Sequence, residues 1–270
     1  MMSTKIRYLQ ALGIDVWTRR SQAAHRAEEV GEAAVLDAPP AVAAEQSRAA
    51  LVESVVPRER TPASQTAIRR NDSELPASVA ALDWEGLRGA VSTCTACSLH
   101  TSRTQSVFGV GNRQAQWMII GEAPGAEEDK QGEPFVGRAG QLLNAMLKSI
   151  ALAREQVFIA NILKSRPPNN RDPKPEEVAA CIPFLYRQIE LINPVLLLCV
   201  GRIAAQTLLQ TDTPIGRLRG TLHRIANNRP MIVTYHPAYL LRSPAEKRKA
   251  WSDLKLAVQT FERLRAEAAA

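Results

Sequence analysis

Four short apolar runs, separated by longer stretches with helical periodicity, constrain the fold of this chain more than any other feature. The runs cover residues 117–121, 157–161, 195–200 and 231–235. Helical patterns occupy residues 140–150, 176–192, 202–209 and 245–266. Apolar strands that alternate with helices are typical of a parallel sheet covered on both faces. We therefore predict an α/β fold, a single-domain three-layer α/β/α structure with a central four-stranded parallel sheet.

Composition divides the chain into three predicted regions. In residues 1–20, apolar side chains recur at helical spacing, which predicts a short amphipathic helix. That helix either docks on its own domain or binds a replication or repair protein. Residues 21–82 contain no Trp, Phe or Tyr, so they bury too little apolar surface to offset the entropy of ordering and are predicted to be a flexible linker. The folded domain is expected over residues 83–265.

The charge and the apolar pattern limit where this chain acts and what it binds. A net charge of +7 favours a polyanionic partner, because Lys and Arg side chains neutralise phosphates. No apolar run reaches the roughly 18 residues that a membrane span needs, and the first residues lack the pattern of a secretory signal. We therefore expect a cytoplasmic, nucleoid-associated monomer with no membrane partner.

Polar motifs follow three of the four predicted strands. The sequence GEAPG over residues 121–125 begins at the end of the first strand, Asn161 closes the second, and His236 with Pro237 follows the fourth. In open parallel sheets, ligands bind beyond the carboxyl ends of the strands. The sequence therefore predicts that these three motifs converge on one site.

Two further motifs are GEPFVGRAGQLL over residues 132–143 and KSRPP over residues 164–168. In order and spacing, all of these motifs resemble those of the uracil-DNA glycosylase superfamily, most closely its iron-sulfur family 4. The resemblance extends from Cys94 to the predicted helix that contains Trp251. It implies an enzyme that flips deoxyuridine out of DNA and hydrolyses its N-glycosidic bond, giving uracil and an abasic site and initiating base-excision repair. Uracil-containing DNA is then the substrate, and no nucleotide cofactor is expected.

The resemblance implies that Gly121, Phe135 and Asn161 bind uracil. Phe135 lies between Pro and Gly on a predicted loop, where it can stack on an extruded base, and a core position is the alternative. The Asn161 amide can accept a hydrogen bond from uracil N3–H and donate one to O4, a pattern that cytosine does not match. Capping of the following turn is the other interpretation of Asn161.

The resemblance also implies three catalytic residues, His236, Glu122 and Glu128. His236 is expected to stabilise the negative charge that develops on uracil O2 as the bond breaks. Glu122 and Glu128 can orient the attacking water and offset positive charge on the sugar, and the sequence does not divide these roles between them. The neighbouring Glu127 and Asp129 are interpreted as a solvated helix N-terminus.

The segment after His236 and the segment after Asn161 are expected to contact DNA. Leu240 is the predicted apolar wedge that fills the gap left by the flipped base. Arg242, Lys164, Arg166 and Arg171 are expected on the same rim, where their charges can bind phosphates.

Three cysteines match those that hold a [4Fe-4S] cluster in family 4, namely Cys94, Cys97 and Cys181. The fourth position is Ser165, whose oxygen is a harder and more basic ligand than a thiolate. We expect the cluster to be retained, and the alternatives are that it is labile or absent. Cys199 lies inside a predicted strand and is interpreted as a buried thiol.

A catalytically weak or silent DNA-binding accessory protein with the same fold is the alternative function. The presence together of Phe135, Asn161 and His236 favours the enzyme. The sequence leaves open the preference for single- or double-stranded DNA and any activity on hypoxanthine or other deaminated bases.

Overall fold

A computed structural model of the chain describes residues 77–269. The predicted helix over residues 1–20 and the predicted linker up to residue 76 lie outside these residues. The last part of that linker carries a short helix, Ala77–Ala80, and Val79 and Leu82 pack against the core of the domain. The packed structure therefore begins several residues before the predicted boundary at residue 83.

The structure contains short and long helices around one sheet. The helices are α1 (Ala77–Ala80), α2 (Trp84–Ser92), α3 (Ala126–Gln131), α4 (Arg138–Ser149), α5 (Pro175–Ile192), α6 (Arg202–Leu209), α7 (Ile215–Leu218), α8 (Pro237–Arg242) and α9 (Lys247–Ala269). The strands are β1 (Val110–Gly111), β2 (Trp117–Gly121), β3 (Phe158–Asn161), β4 (Leu196–Val200), β5 (Leu222–Ile225) and β6 (Arg229–Thr234). Single 3₁₀ turns occur at Ser98–Thr101, Arg154–Gln156, Pro168–Asn170, Ala226–Asn228 and Pro244–Glu246. None of the helices between residues 77 and 269 combines the length and the apolar character that crossing a bilayer requires.

The four predicted strands form the parallel centre of the sheet, in the order β3-β2-β4-β6. The predicted α/β fold is confirmed. Two antiparallel edge strands, β1 and β5, flank the predicted four parallel strands and extend the sheet to six. Strand β1 has only two residues, and β5 buries one side chain of four, so neither carries a periodic apolar pattern that would predict it.

Side chains of the central strands alternate between two cores, one on each face of the sheet. On β2, Met118 and Ile120 belong to one core, while Trp117 and Ile119 belong to the other. Helices α2, α5 and α6 cover the first face, and helices α4, α8 and α9 cover the second. The layers therefore follow the predicted order of helices, sheet and helices.

The buried carboxylate of Asp253 joins helix α9 to the end of strand β6 and to Arg219, the residue after helix α7. The Asp253 carboxylate, fully buried, accepts hydrogen bonds from Arg219 Nε and Nη2 at 3.0 and 2.7 Å and from Thr234 Oγ1 at 2.9 Å. Burial raises the pKa of Asp253, while Thr234 and Arg219 oppose that effect. Because Thr234 is the last residue of β6, this contact fixes the strand end from which His236 follows.

We predict that Asp253→Ala lowers the free energy of unfolding by about 3–5 kcal/mol, because it leaves a half-buried guanidinium and a buried hydroxyl without their acceptor. Urea unfolding followed by circular dichroism measures this change. Glu85→Ala is the control, because it removes the exposed Arg113–Glu85 pair and is expected to cost less than about 1 kcal/mol. A loss at Asp253 no larger than the loss at Glu85 would contradict the prediction.

Candidate active site

A cavity of about 730 Å³ lies beyond the carboxyl ends of the central strands. Its walls include Glu122 and Gly125 after β2, Asn161 at the end of β3 and His236 after β6. Parallel pairing places these strand ends side by side, so motifs that are far apart in sequence meet at one edge of the sheet. The three motifs therefore converge on one cavity, as their positions predicted.

Phe135 lines this cavity in an unusual backbone conformation. Its φ is 55°, in the left-handed region that a bulky residue rarely adopts, and its side chain is 6% exposed. The ring centroid lies 5.5 Å from that of His236, with the two planes inclined by 32°. Phe135 belongs to the core that includes residues of α4, and it also lines the cavity.

The close approach of Phe135 depends on Gly140. A Cβ atom at residue 140 would collide with the Phe135 carbonyl, so only glycine allows α4 to start against this loop. The left-handed residue and the glycine that accommodates it are therefore parts of one local structure.

Asn161 lies at the base of the cavity with an unpaired acceptor. Its side chain is buried, and Oδ1 accepts no hydrogen bond from the residues that the structure describes. The alternative role as a cap of the following turn is therefore not observed for Oδ1. A buried acceptor without a donor costs free energy, and it is expected where a ligand supplies the donor.

Gly121 leaves the space that Asn161 and Phe135 occupy. A Cβ atom at residue 121 would collide with Asn161 Oδ1 and would lie 2.7 Å from Cζ of Phe135. The contribution of Gly121 to the site is therefore the absence of a side chain.

The imidazole of His236 is neutral and has a defined tautomer. Its Nδ1 accepts a hydrogen bond of 3.1 Å from the backbone amide of Ala238, so the ring proton lies on Nε2. Burial, aided by the positive charge of Arg242, lowers the pKa of His236 to about 4. Gly201, at a φ of 106°, packs against this ring. At neutral pH the side chain is thus a hydrogen-bond donor without a net charge.

Glu122 is a carboxylic acid whose pKa is displaced toward neutrality. Burial, together with the negative charge of Asp172, raises the pKa of Glu122 to about 7, while Arg202 acts in the opposite direction. Asp172 and Arg202 form an ion pair of 2.8 Å on the wall of the same cavity. Glu122 can therefore accept or release a proton near neutral pH.

Glu128 is fixed by the Phe135 loop. Its Oε1 accepts hydrogen bonds from the backbone amides of Val136 and Gly137 at 3.0 and 3.1 Å, and its Oε2 approaches Gly125. One carboxylate oxygen is thus used to hold the loop, and the residue also lines the cavity.

The two acidic neighbours of Glu128 differ from each other. Glu127 is exposed and pairs with Lys130 at 3.1 Å, as expected for a solvated helix N-terminus. Asp129 is buried, and its carboxylate accepts the backbone amide of Thr104 at 2.9 and 3.1 Å, so its interpretation as a solvated residue was wrong.

Two of the predicted DNA contacts do not lie on the rim of the cavity. Leu240 is 1% exposed and belongs to the core, whereas Tyr239 and Leu241 are 36% and 37% exposed. Leu240 therefore lacks the exposure that the predicted wedge requires. Lys164 is 2% exposed, and Nζ donates to the Asn161 carbonyl at 2.8 Å and to Gln188 Oε1 at 2.7 Å.

Burial lowers the pKa of Lys164 to about 7, and both hydrogen bonds point into the protein. Its predicted role as a phosphate ligand was wrong, because the ammonium does not reach the surface.

The three predicted arginines occupy different environments. Arg242 is exposed and lines the cavity. Arg171 also lines it, but its guanidinium makes two hydrogen bonds, of 2.6 and 2.9 Å, with the buried carboxylate of Glu177. Arg166 is half-buried, and Nε donates to Asn170 Oδ1 at 2.8 Å. Arg242 is therefore the predicted cation with the freest access to a phosphate at this opening.

The predicted cluster residues are free thiols in one region of the fold. Burial raises the pKa of Cys181 to about 11, and the nearby Cys97 and Cys94 add to this effect, so the three sulfur atoms lie within electrostatic range of one another. Cys199 is fully buried in β4, as predicted. Within residues 77–269, no group of three His, Cys, Asp or Glu side chains is arranged so that it could hold a single metal ion.

Ser165 does not present a free ligand at the fourth position. Its buried Oγ accepts a hydrogen bond of 2.9 Å from Arg103 Nη1. A [4Fe-4S] cluster binds thiolates at separate iron atoms, so the chemistry of the three cysteines fits such a cluster, whereas the hydroxyl bound to Arg103 does not.

Asp172, Arg202 and Gly201 were missed by the sequence-based prediction. Asp172 and Arg202 are far apart in sequence, and ordinary polar patterning does not distinguish them from surface residues. Gly201 directly follows a predicted strand, and a glycine at that position is the one signal that indicated a close approach.

Comparison with known proteins agrees with this geometry. The profile of the uracil DNA glycosylase superfamily matches residues 108–255. The type-4 uracil-DNA glycosylase of Archaeoglobus fulgidus is 46% identical over 172 residues, which cover 61% of this chain and 86% of the relative. The type-4 uracil-DNA glycosylase of Thermotoga maritima is 47% identical over 154 residues, which cover 57% of this chain and 80% of the relative. That of Pyrobaculum aerophilum is 41% identical over 182 residues, which cover 65% of this chain and 93% of the relative. The chain therefore belongs to the uracil DNA glycosylase superfamily.

Proposed function

We propose that this chain is a type-4 uracil-DNA glycosylase, which hydrolyses the N-glycosidic bond of flipped-out deoxyuridine and so initiates base-excision repair. One observation carries the proposal. The same cavity contains an unpaired buried acceptor, Asn161 Oδ1, and the neutral imidazole of His236 with its proton on Nε2. Identities of 41% to 47% with proteins named type-4 uracil-DNA glycosylase support the same reaction.

Base recognition follows from two side chains of the cavity, Phe135 and Asn161. Phe135 stacks on the face of the extruded ring, and Gly121 leaves the space that the Phe135 ring and the Asn161 amide occupy. Asn161 Oδ1 accepts the hydrogen bond of uracil N3–H, and the amide nitrogen donates to O4. Cytosine has no N3–H and carries an amino group at position 4, so it leaves both groups of Asn161 unsatisfied.

His236 stabilises the departing base. Its Nε2–H donates to uracil O2, where negative charge develops as the glycosidic bond breaks. A neutral donor is suited to this role because its pKa, about 4, keeps its protonation state constant across neutral pH.

Glu122 and Glu128 divide the two carboxylate roles. Glu122 accepts a proton from the attacking water, since its pKa is about 7. Glu128 holds the Phe135 loop through Oε1, and its negative charge offsets the positive charge that develops on the sugar.

DNA is bound at the opening of the cavity. Arg242 contacts a phosphate, and Arg171 contributes charge while it remains paired with Glu177. The exposed Leu241 replaces Leu240 as the apolar side chain that fills the gap left by the flipped base. A net charge of +7 supports binding to this polyanion.

The chain acts as a monomer on the DNA of the cytoplasmic nucleoid, where its substrate lies. Residues 1–20, with their helical spacing of apolar side chains, bind a replication or repair protein.

Cys94, Cys97 and Cys181 would hold a [4Fe-4S] cluster as thiolates. The electrostatic proximity of the three thiols supports this assignment. The cluster would supply structural stability by joining the segment before β1 to helix α5.

The first test is uracil release from an oligonucleotide that contains one uracil, scored as cleavage at the abasic site under single-turnover conditions. The wild type should release uracil and leave a matched thymine oligonucleotide intact. His236→Ala should lower the rate about 10²- to 10³-fold, because it removes the donor to O2. His223→Ala, which changes a histidine of edge strand β5, should keep the wild-type rate.

No release by a folded wild-type protein that still binds DNA would favour the silent accessory protein over the enzyme. An equal rate for His236→Ala and His223→Ala would remove His236 from the reaction.

A second prediction concerns the pH dependence of base release. The basic form of Glu122 becomes populated as pH rises through about 7, so the single-turnover rate of the wild type should rise about tenfold between pH 6 and pH 8. Glu122→Gln should be slower, with a rate that is flat across this range. Glu127→Gln, which changes an exposed neighbour, should retain the wild-type profile, and an unchanged slope in Glu122→Gln would contradict the role of Glu122.

A third prediction concerns the cluster. Ser165→Cys should raise the iron content per chain and the thermal midpoint of anaerobically purified protein, because it supplies a fourth thiolate. Cys199→Ala is the control for a buried thiol outside the site and should leave the iron content unchanged. A rise in neither the iron content nor the thermal midpoint of Ser165→Cys would count against a cluster on the three cysteines.

A further inference from the structure

The backbone around Phe135 needs support from outside the cavity. A phenylalanine at a φ of 55° lies in a sparsely populated conformation, and such residues persist only where neighbouring groups hold them. The Gly140 contact makes room for the loop, but it supplies no hydrogen bond to it. The groups that bind the polar atoms of this loop therefore determine where the ring lies.

Arg154 binds the carbonyl groups of the loop. It lies on the 3₁₀ turn Arg154–Gln156, between α4 and β3, and it does not line the cavity. Its Nη2 donates to the Pro134 carbonyl at 2.6 Å, and its Nη1 donates to the Phe135 carbonyl at 3.4 Å and to Asn144 Oδ1 at 3.3 Å. A planar guanidinium presents its donors in a fixed geometry, so these contacts fix the direction of two successive carbonyls.

Glu128 binds the next two residues of the loop, and it accepts hydrogen bonds from them whereas Arg154 donates. Its Oε1 accepts the amides of Val136 and Gly137. The positive side chain thus holds the carbonyls before the turn, and the negative side chain holds the amides after it. Phe135 lies between these two attachments, which together determine its left-handed conformation.

We infer that Arg154 is a positioning residue for base stacking, which holds the Phe135 ring where it contacts the extruded uracil. This inference rests on the proposed function, because it assumes that Phe135 stacks on the base. Arg154 does not touch the base or the DNA and acts through the backbone of Phe135 alone. Its loss should therefore weaken base binding and slow base release without changing the affinity for DNA that lacks uracil.

Arg154→Ala tests the inference with two measurements. Single-turnover uracil release should slow about 10- to 100-fold, as expected when a positioned group is displaced. Inhibition by free uracil should weaken about threefold to tenfold, because the aromatic contact is lost. The dissociation constant for an undamaged duplex should match that of the wild type.

The matched control is Arg187→Ala. Arg187 is also half-buried and donates to a backbone carbonyl, that of Leu82, and to the carboxylate of Glu190, but it lies outside the cavity. Urea unfolding of both variants reports any general loss of stability. Arg187→Ala should release uracil at the wild-type rate even where it unfolds as easily as Arg154→Ala.

Arg154→Lys keeps the charge but has a single ammonium in place of the fork, so it should fold and show an intermediate defect. A double-mutant cycle then separates positioning from structure. In a Phe135→Ala background, Arg154→Ala should cause little further loss of rate, because the ring that it positions is absent. In a His236→Ala background, its effect should remain the full 10- to 100-fold.

Wild-type rates and uracil inhibition in folded Arg154→Ala and Arg154→Lys would overturn the inference and leave the proposed function intact. Equal losses from Arg154→Ala in the presence and absence of Phe135 would overturn it as well, because the effect would then not pass through the ring. A wild-type protein that neither releases nor binds uracil would instead refute the proposed function, and the inference with it.

Discussion

The register between strands β2 and β3 is the constraint on which the site depends. Gly121 is paired directly with Asn161 at the ends of these strands, and a side chain at Gly121 would occupy the volume of the Asn161 amide and the Phe135 ring. A shift of one residue would turn Asn161 to the other face of the sheet. Because both strands are buried on two faces, a shift of one residue would require both cores to repack, and the folding of the core thereby determines the geometry of the cavity.

Burial has opposite effects on the pKa values of two titratable side chains in the cavity, His236 and Glu122. Removal from water disfavours charge on both, which lowers the pKa of His236 to about 4 and raises that of Glu122 to about 7. The same physical effect thus leaves one side chain neutral as a fixed donor and makes the other a proton acceptor near neutral pH. Two titratable groups whose pKa values are displaced by one cavity are suited to different steps of a reaction. The negative charge of Asp172 raises the pKa of Glu122 further, and the positive charge of its ion-pair partner Arg202 lowers it.

The sequence predicted the features that depend on periodicity and on strand ends. Buried parallel strands have continuous apolar runs, and the polar residues that follow them must lie at one edge, so the positions of Asn161 and His236 could be anticipated. The direction in which each side chain points could not be anticipated from the sequence. Leu240 lies in a helix of six residues, and the docking of that helix, which no pattern encodes, turns residue 240 inward and residue 241 outward. Lys164 turns inward because Gln188, from a helix later in the chain, supplies an acceptor beside the Asn161 carbonyl.

Ser165, at the position where the family resemblance implies a cysteine, is bound by Arg103. The Arg103 guanidinium donates to Ser165 Oγ at 2.9 Å and to the Ser92 carbonyl at 3.1 Å, so it joins the end of α2 to the loop after Asn161. Cysteine ligands on the same two sides would make an equivalent connection through metal. A charged hydrogen bond from a half-buried arginine is weaker than metal coordination, but it requires neither iron nor a reducing environment. The loop that carries Lys164, and through it the Asn161 carbonyl, is therefore held in place by the polypeptide itself.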